Sequence, residues 1–185
     1  IHTSTEFATL SAARQKIIEN QLRDFRLGGA ELPEAQKTRF LAIQEELSTL
    51  CSRFSDNILD ATNAYTWLIE DESELSGIPP DERQVAAEAA REEGKTGWLF
   101  TLKAPSYGPL MQYADNRALR ERMYKASSTR ASELSPNATI DDQSKPEWNN
   151  TPLMNQILKL RNEEAHLLGF SNFAELSLAT KMANT

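Results

Sequence analysis

The stretch PEAQKTRFLAIQEELSTLCSRFSDNILDA, residues 33–61, decides the fold class of this chain. Its apolar residues recur at steps of three or four positions, which places them on one face of a helix for many turns. These residues are Phe40, Ile43, Leu47, Leu50, Phe54, Ile58 and Ala61. Pro33 suits the first helical position, and Glu34 suits the positive end of the helix dipole. The stretch therefore predicts the longest helix of the chain.

Helical spacing continues on both sides of this stretch. An earlier helix is predicted from about residue 10 to residue 27, where the Gly28-Gly29 pair provides the left-handed geometry that ends helices. Its predicted buried side consists of Ile17, Ile18, Leu22 and Phe25. Later helices are predicted over residues 81–93, 115 to about 131, 151–169 and 171–181. Thr151-Pro152 reads as a cap and first residue, and Ser171 as the cap of the last helix.

Two segments, residues 65–69 and 98–102, are rich in aromatic and β-branched side chains and predict strands instead. Polar residues, glycine or proline border each of them. We expect them to pair as a small antiparallel ribbon that packs against helices, because two strands alone are only marginally stable. The predicted class is therefore mainly α, a bundle-like arrangement of helices with one two-stranded ribbon.

Three regions are predicted along the 185 residues. Residues 1–131 form a helical region that contains the ribbon, residues 132–150 form a surface loop, and residues 151–185 form a helical pair. The loop prediction rests on prolines, paired aspartates and paired asparagines with few apolar anchors.

Composition excludes several classes of protein. Hydrophobic residues make up 39% and charged residues 25%, and no apolar run approaches the roughly 18–20 residues of a membrane span. The net charge of −7 argues against nucleic acid or an anionic membrane as the main partner. The first residues show no signal-peptide pattern, and the single cysteine, Cys51, cannot form an internal disulfide. These features favour a reducing, cytoplasmic location.

Metal chemistry has few candidate ligands in this sequence. A zinc site needs about three or four ligands drawn from His, Cys, Asp and Glu, whereas the chain has two histidines, His2 and His166, and one cysteine. Glu163 and His166 have the spacing of one half of a carboxylate-bridged dimetal site, but a second Glu-x-x-His is absent. A solvated helix face is the favoured interpretation, and a small dimetal enzyme is the alternative.

Other catalytic and binding motifs are also missing. There is no Gly-x-Ser-x-Gly elbow and no phosphate-binding glycine loop. Cys51 falls beside the apolar series of residues 33–61 and is interpreted as a packed thiol. A basic cluster comprises Arg117, Arg120, Arg122, Lys125 and Arg130. These residues fan around a helix and alternate with acids, which favours a solvated helix over a nucleic-acid surface. We therefore predict no catalytic, cofactor-binding or metal-binding residue.

Four strings in order resemble one protein family. They are LRDFRLGGAELP at 22–33, SRFSDNILDATNAY at 52–65, PSYGPLMQYADNR at 105–117 and LLGFSNFAELSLATKMA at 167–183. Together they resemble the thimet oligopeptidase family of zinc metallopeptidases. The resemblance extends from about residue 10 to residue 183, whereas residues 132–150 depart from the family pattern.

The resemblance implies a larger, two-lobed helical peptidase that cleaves short peptides in a channel between its lobes. It also implies a zinc site made by a His-Glu-x-x-His helix and a later Glu, and no such motif occurs in these 185 residues. The chain is then expected to be an inactive segment that precedes the metal-binding region and forms the wall or rim of the channel. Its exposed apolar faces are expected to favour self-association. The alternative is a self-standing interaction module that uses Trp67, Trp98 and the loop.

Overall fold

The structure is a computed structural model that describes residues 4–135 and 146–183. It is mostly helical with a two-stranded antiparallel sheet, which confirms the predicted fold class. The helices are α1 (Thr5–Thr9), α2 (Ala12–Leu27), α3 (Glu34–Ala64), α4 (Pro80–Glu92), α5 (Ala104–Tyr113), α6 (Arg117–Thr129), α7 (Thr151–Leu167) and α8 (Phe173–Leu178). The strands are β1 (Thr66–Ile69) and β2 (Trp98–Thr101), and 3₁₀ turns cover Glu72–Leu75 and Pro146–Trp148. None of the described helices combines the length and apolar composition that a membrane-spanning helix needs.

The chain divides into two compact units. The terminal unit comprises Ile1–Cys51 and Asn155–Thr185, and the central unit comprises Ser52–Met154. Helices α3 and α7 each contribute residues to both units, so the division falls within helices and not at loops.

The core of the terminal unit confirms the helical stripe from Phe40 to Leu47, whereas Phe54 and Ile58, farther along the stripe, are only partly buried. Ile43 is fully buried, and Phe40 and Leu47 are 6% and 9% exposed. Ile43 and Leu47 pack against Ile157 and Leu160 of α7, and Leu50, Cys51 and Leu167 lie at the edge of this cluster. Burying an aliphatic side chain of this size contributes about 1.5–3 kcal/mol. The thiol of Cys51 is thus part of a packed apolar cluster, as predicted.

Helix α2 departs from the prediction for its buried side. Ile17 and Phe25 are each 62% exposed, and Ile18 and Leu22 are only partly buried. The prediction that all four lie in a core is wrong, because the described residues of the terminal unit do not cover this face. The helix does end as predicted at the glycine pair: Gly29 has a φ of +80°, and the Ala30 N–H donates to the Phe25 carbonyl at 3.0 Å.

The core of the central unit is built on the ribbon. Strand β1 pairs with β2 in antiparallel register, with Trp67 opposite Phe100 and Ile69 opposite Trp98. Because side chains alternate across a strand, these four point to the same face of the sheet. This face contributes to a core that includes the α6 residues Leu119, Met123 and Ala126. The ribbon therefore leans on helices, as the marginal stability of two isolated strands requires.

Helix α5 was not predicted from the sequence. Residues 105–109 contain two prolines and a glycine, which ordinarily interrupt helices. Pro105 lies in the first turn, where its missing N–H removes no helical hydrogen bond. Leu110 is completely buried in the central core, so tertiary packing outweighs the unfavourable helix propensity of Pro109 inside the helix.

Side-chain caps set two helix starts that differ from prediction. The Asn116 side chain accepts from the backbone N–H groups of Ala118 and Leu119, so α6 begins after Asn116 and not at residue 115. The Asn172 side chain accepts from the Glu175 N–H at 3.0 Å, so Asn172 replaces Ser171 as the cap of α8. Of the predicted loop, residues 136–145 lie outside the described residues.

Candidate functional site

Glu163, one of the two candidate metal ligands, is held by an arginine. Arg39 Nε and Nη2 donate to Glu163 Oε1 and Oε2, each at 2.5 Å, in a two-pronged contact between α3 and α7. The next residue, Glu164, accepts from Gln44 Nε2 at 2.7 Å. These contacts give the acidic pair a structural role within the terminal unit, so both carboxylates are already engaged by side chains of α3.

The electrostatics of Glu163 agree with that role. The hydrogen bond from Arg39 is the main reason why the pKa of Glu163 lies below its ordinary value of 4.5. Across residues 4–135 and 146–183, no three His, Cys, Asp or Glu side chains lie close enough together to hold a metal ion. His2 falls outside those residues. The described side chains therefore do not fit a zinc or dimetal centre.

The basic cluster on α6 is divided among different partners. Lys125 pairs with Glu121 at 2.6 Å, and the Arg122 guanidinium lies 4.1 Å from the ring centroid of Trp67. Arg130 donates to a backbone carbonyl near the end of the helix. Because these cations serve separate local contacts, the geometry favours a solvated helix over one continuous basic face.

The ribbon aromatics are less available than an interaction surface requires. Trp67 and Trp98 are only partly exposed and pack against the central core. Arg122 stacks over Trp67 and lies close to Tyr65, where burial raises the pKa of the phenol while the nearby guanidinium opposes that shift. The cluster of Tyr65, Trp67 and Arg122 is thus a stabilising cation–π contact at the edge of the core.

A buried amide pair near the loop ends was not anticipated. Asn150 is 2% exposed and Asn57 is 7% exposed. Asn57 Nδ2 donates to Asn150 Oδ1 at 2.8 Å, and Asn150 Nδ2 donates to the Phe54 carbonyl at 3.0 Å. The Asn150 backbone N–H donates to the Ala131 carbonyl at 2.9 Å. One available signal was that Asn57 lies three residues after Phe54 and four before Ala61, at an apolar position of the helical stripe.

A backbone hydrogen bond thus joins Ala131, just after α6, to Asn150, just before α7. The Thr151 hydroxyl also donates to the Glu133 carboxylate, and this contact lowers the pKa of Glu133. The start of α7 is therefore fixed to the end of the α6 segment within the central unit.

The central unit also contains an open groove between α4, β2 and α5, which we call the α4–α5 groove. Its volume is about 310 Å³. Its lining residues are Glu82, Val85, Ala86, Ala89, Leu99, Phe100, Thr101, Lys103, Pro105, Ser106 and Pro109. Sequence reasoning missed this groove because one of its walls is the unpredicted helix α5.

Comparison with known proteins bears out the family resemblance. The family model described as Peptidase family M3 matches residues 110–185. Oligopeptidase A of Haemophilus influenzae is 50% identical over 183 residues, which cover 99% of this chain and 26% of that protein. Oligopeptidase A of Escherichia coli is 49% identical over 179 residues, 96% of this chain and 25% of that protein. The probable cytosolic oligopeptidase A of Arabidopsis thaliana is 44% identical over 190 residues, 99% of this chain and 25% of that protein.

More distant similarity reaches a dipeptidyl carboxypeptidase of Salmonella typhimurium, which is 33% identical over 162 residues, 87% of this chain and 22% of that protein. The chain therefore spans about a quarter of the length of the relatives that it matches. The resemblance to an oligopeptidase family is thus confirmed, and bacterial oligopeptidases A are among the similar proteins.

Proposed function

Since this chain is related to the oligopeptidases of peptidase family M3, we propose that it is a non-catalytic segment of a longer zinc-dependent oligopeptidase. In that protein it forms the wall or rim of the channel that short peptides enter. The observation that carries the proposal is the 50% identity over 183 residues with an oligopeptidase A of which those residues make up only 26%. Such similarity along 99% of this chain supports a shared fold and a shared position in the longer protein.

The residue inventory supports a structural role for the segment. Within the described ranges, acids and histidine do not assemble a metal-binding group, and Glu163 is engaged by Arg39. The zinc ion and the His-Glu-x-x-His helix would then belong to another part of the longer protein. Residues 151–185 would lead toward that part, whereas residues 1–131 and 132–150 would provide the wall and a surface loop. We further propose a cytoplasmic location and short peptides as the substrates.

An activity assay on two lengths of the protein tests this proposal. The 185-residue chain and the longer protein read from the same gene are incubated with an internally quenched peptide of about ten residues, and cleavage is followed by fluorescence. We expect the longer protein to cleave the peptide, to lose activity with a chelator and to regain it with zinc. The 185-residue chain alone is expected to be inactive with and without added zinc.

A reading frame that stops directly after Thr185 would contradict the proposal, and so would a longer protein without peptidase activity. In the first case, a native protein of 20.8 kDa that co-purifies with a partner would favour the interaction module instead. Peptide cleavage by the short chain would overturn the assignment of a non-catalytic role.

A further inference from the structure

The floor and walls of the α4–α5 groove are mainly apolar. Ala86 and Leu99 are 5% and 4% exposed and close the base of the groove. Val85 also lines it, yet this side chain is 62% exposed. Pro105 and Pro109 form the α5 side. An apolar side chain of a ligand that packs on Val85 would therefore remove apolar surface of both side chains from water. This removal stabilises the bound state by about 25 cal/mol per Å² of apolar surface.

Two charged side chains of opposite sign line the same groove, Glu82 from α4 and Lys103 from the start of α5. The ion pairs of the described residues do not include either of them. An apolar groove that presents one carboxylate and one ammonium is complementary to a ligand that carries both charges and an apolar group. Few polar groups in a mostly apolar cleft are typical of small-molecule sites.

The Lys103 side of the groove is preorganised by local hydrogen bonds. The Thr101 N–H donates to Ser106 Oγ at 2.9 Å, and the Lys103 N–H donates to Thr101 Oγ1 at 3.3 Å. Because Ser106 Oγ accepts from the backbone, its own hydroxyl hydrogen can be donated to a ligand. Lys103 and Ser106 together thus offer a cation and a hydroxyl donor to an anionic group, which is the combination that binds a carboxylate.

The size of the groove restricts the ligand. A volume of about 310 Å³ lies at the lower end of the range of small-molecule sites, roughly 300–1,000 Å³. A stable protein partner would need about 800 Å² of surface on each side, whereas this groove accommodates one or two amino-acid residues. The groove therefore suits a small ligand better than a protein surface.

We propose that the α4–α5 groove binds a short zwitterionic peptide of about two residues. Its apolar side chain packs on Val85, Ala89 and Pro109, its ammonium group contacts Glu82, and its carboxylate contacts Lys103 and Ser106. The choice of a peptide over another zwitterion rests on the proposed function. Dipeptides are products of the cleavage of short peptides. The groove would therefore be a non-catalytic binding site for such products, in addition to the catalytic site of the longer protein.

Titration of the ¹⁵N-labelled 185-residue chain with the dipeptide Leu-Ala, followed by NMR, tests the proposal. We expect saturable shifts of the amide signals of Ala86, Ala89, Thr101 and Ser106.

Glu82→Gln should weaken binding about threefold, and Lys103→Gln should do the same, as expected for partly exposed charge contacts. N-acetyl-Leu-Ala, which lacks the ammonium group, should bind the unmodified chain less tightly than Leu-Ala does, whereas E82Q should bind the two peptides equally. Leu-Ala amide, which lacks the carboxylate, should bind the unmodified chain less tightly than Leu-Ala does, whereas K103Q should bind these two peptides equally.

Matched variants separate groove binding from general effects. Ala89→Phe should fill the groove and abolish the shifts, whereas Gln84→Phe, on the exposed side of the same helix, should leave them unchanged. Circular dichroism establishes that each variant is folded. Equal affinity for the free and capped dipeptides, shifts scattered outside the groove, or shifts that persist in A89F would overturn the proposal. Concentration-dependent broadening that is confined to the groove signals in the absence of peptide would also overturn it, in favour of a second copy of the chain as the occupant.

The binding measurement does not depend on hydrolysis. If Leu-Ala fails to bind while the longer protein cleaves peptides, the groove assignment is wrong and the proposed function stands. If Leu-Ala binds while the longer protein is inactive, the groove assignment stands and the peptidase role is wrong.

Discussion

Asn150 illustrates how a single buried residue stabilises the central unit. Its side chain contacts both Asn57 and the Phe54 carbonyl of α3, and its backbone N–H contacts the Ala131 carbonyl. A buried polar group stabilises a fold only when its hydrogen bonds are made, because an unpaired donor or acceptor retains its desolvation penalty. Asn150 therefore connects α3, the end of the α6 segment and the start of α7 through satisfied hydrogen bonds.

Replacing Asn150 with alanine should lower the free energy of unfolding by about 2 kcal/mol or more, because the Asn57 amide and the Phe54 carbonyl lose their partner in a dry environment. Urea denaturation monitored by circular dichroism measures the loss. Asn63→Ala provides the control, since Asn63 is exposed on the same helix α3 as Asn57. A loss in N150A no larger than that in N63A would show that the amide network contributes little.

The lowered pKa of Glu163 predicts that the terminal unit loses stability in acid. Its pKa is lowered in the folded chain, mainly by the hydrogen bond from Arg39, so folding favours the ionised form. The contribution is fully present above the ordinary carboxyl pKa of 4.5 and disappears as the pH falls through the lower folded value. Glu163→Gln should remove this pH dependence, whereas the exposed Glu45→Gln should retain it.

Thermal unfolding of E163Q, E45Q and the unmodified chain is measured between pH 7 and pH 3. The loss of stability that Glu163 causes at low pH should be modest and should shrink in 1 M salt, because the side chains of Arg39 and Glu163 are 44% and 42% exposed. Identical pH profiles for E163Q and the unmodified chain at low salt would contradict the prediction.

At the scale of elements, a glycine turn determines how the segment before α4 meets the end of α5. Gly77 has a φ of +85°, and an added Cβ would lie only 2.2 Å from the Tyr113 carbonyl oxygen. On one side of it, the Ser76 carbonyl accepts from the Asp115 N–H at 2.8 Å, and the Ser76 hydroxyl donates to the Asp115 carboxylate at 2.8 Å. Close backbone approach, and not conformation alone, therefore excludes a side chain here.

Gly77→Ala and Gly94→Ala separate the cost of a positive φ from the cost of a steric clash with nearby backbone. Gly94 also has a positive φ, +69°, but an added Cβ would meet nothing within 4 Å. We expect G94A to lower the free energy of unfolding by roughly 1 kcal/mol through backbone strain. G77A should lower it by at least about 2 kcal/mol more through the steric clash. Chemical denaturation of both variants provides the comparison, and equal losses would refute the role of close approach.

At the scale of the whole molecule, the exposed apolar side chains of the terminal unit favour association between copies. Ile17, Phe25, Leu41 and Leu158 are each more than 60% exposed. Exposed apolar side chains are removed from water when two surfaces meet, which favours association. In the longer protein proposed above, other parts of the polypeptide would cover these side chains.

The isolated chain should therefore self-associate as its concentration rises, and the double variant Ile17→Ser/Phe25→Ser should weaken that association. Sedimentation velocity over a hundredfold range of concentration measures it. Glu19→Ser, an exposed substitution on the same helix, is the control and should behave like the unmodified chain. A monomer throughout that range for the unmodified chain would refute the prediction.

The sequence by itself determined the local features of this protein. Apolar spacing from Phe40 to Ala61 predicts α3, the Gly28-Gly29 pair predicts the end of α2, and the two aromatic segments predict the ribbon. The shortage of histidine and cysteine predicts that this chain alone holds no zinc site, because ligand number is a property of composition. Each of these features depends on residues that are neighbours along the chain or on residue counts.

Only the tertiary structure decided which distant residues meet. Arg39 and Glu163 are separated by 124 positions, and Asn57 and Asn150 by 93. Packing of Leu110 permits a helix that the α5 sequence disfavours, and that helix creates one wall of the α4–α5 groove. Conversely, Phe25 has the spacing of a core residue but stays exposed. Periodicity specifies the face on which a side chain lies, whereas contact, burial and charge pairing depend on what the rest of the chain brings to that face.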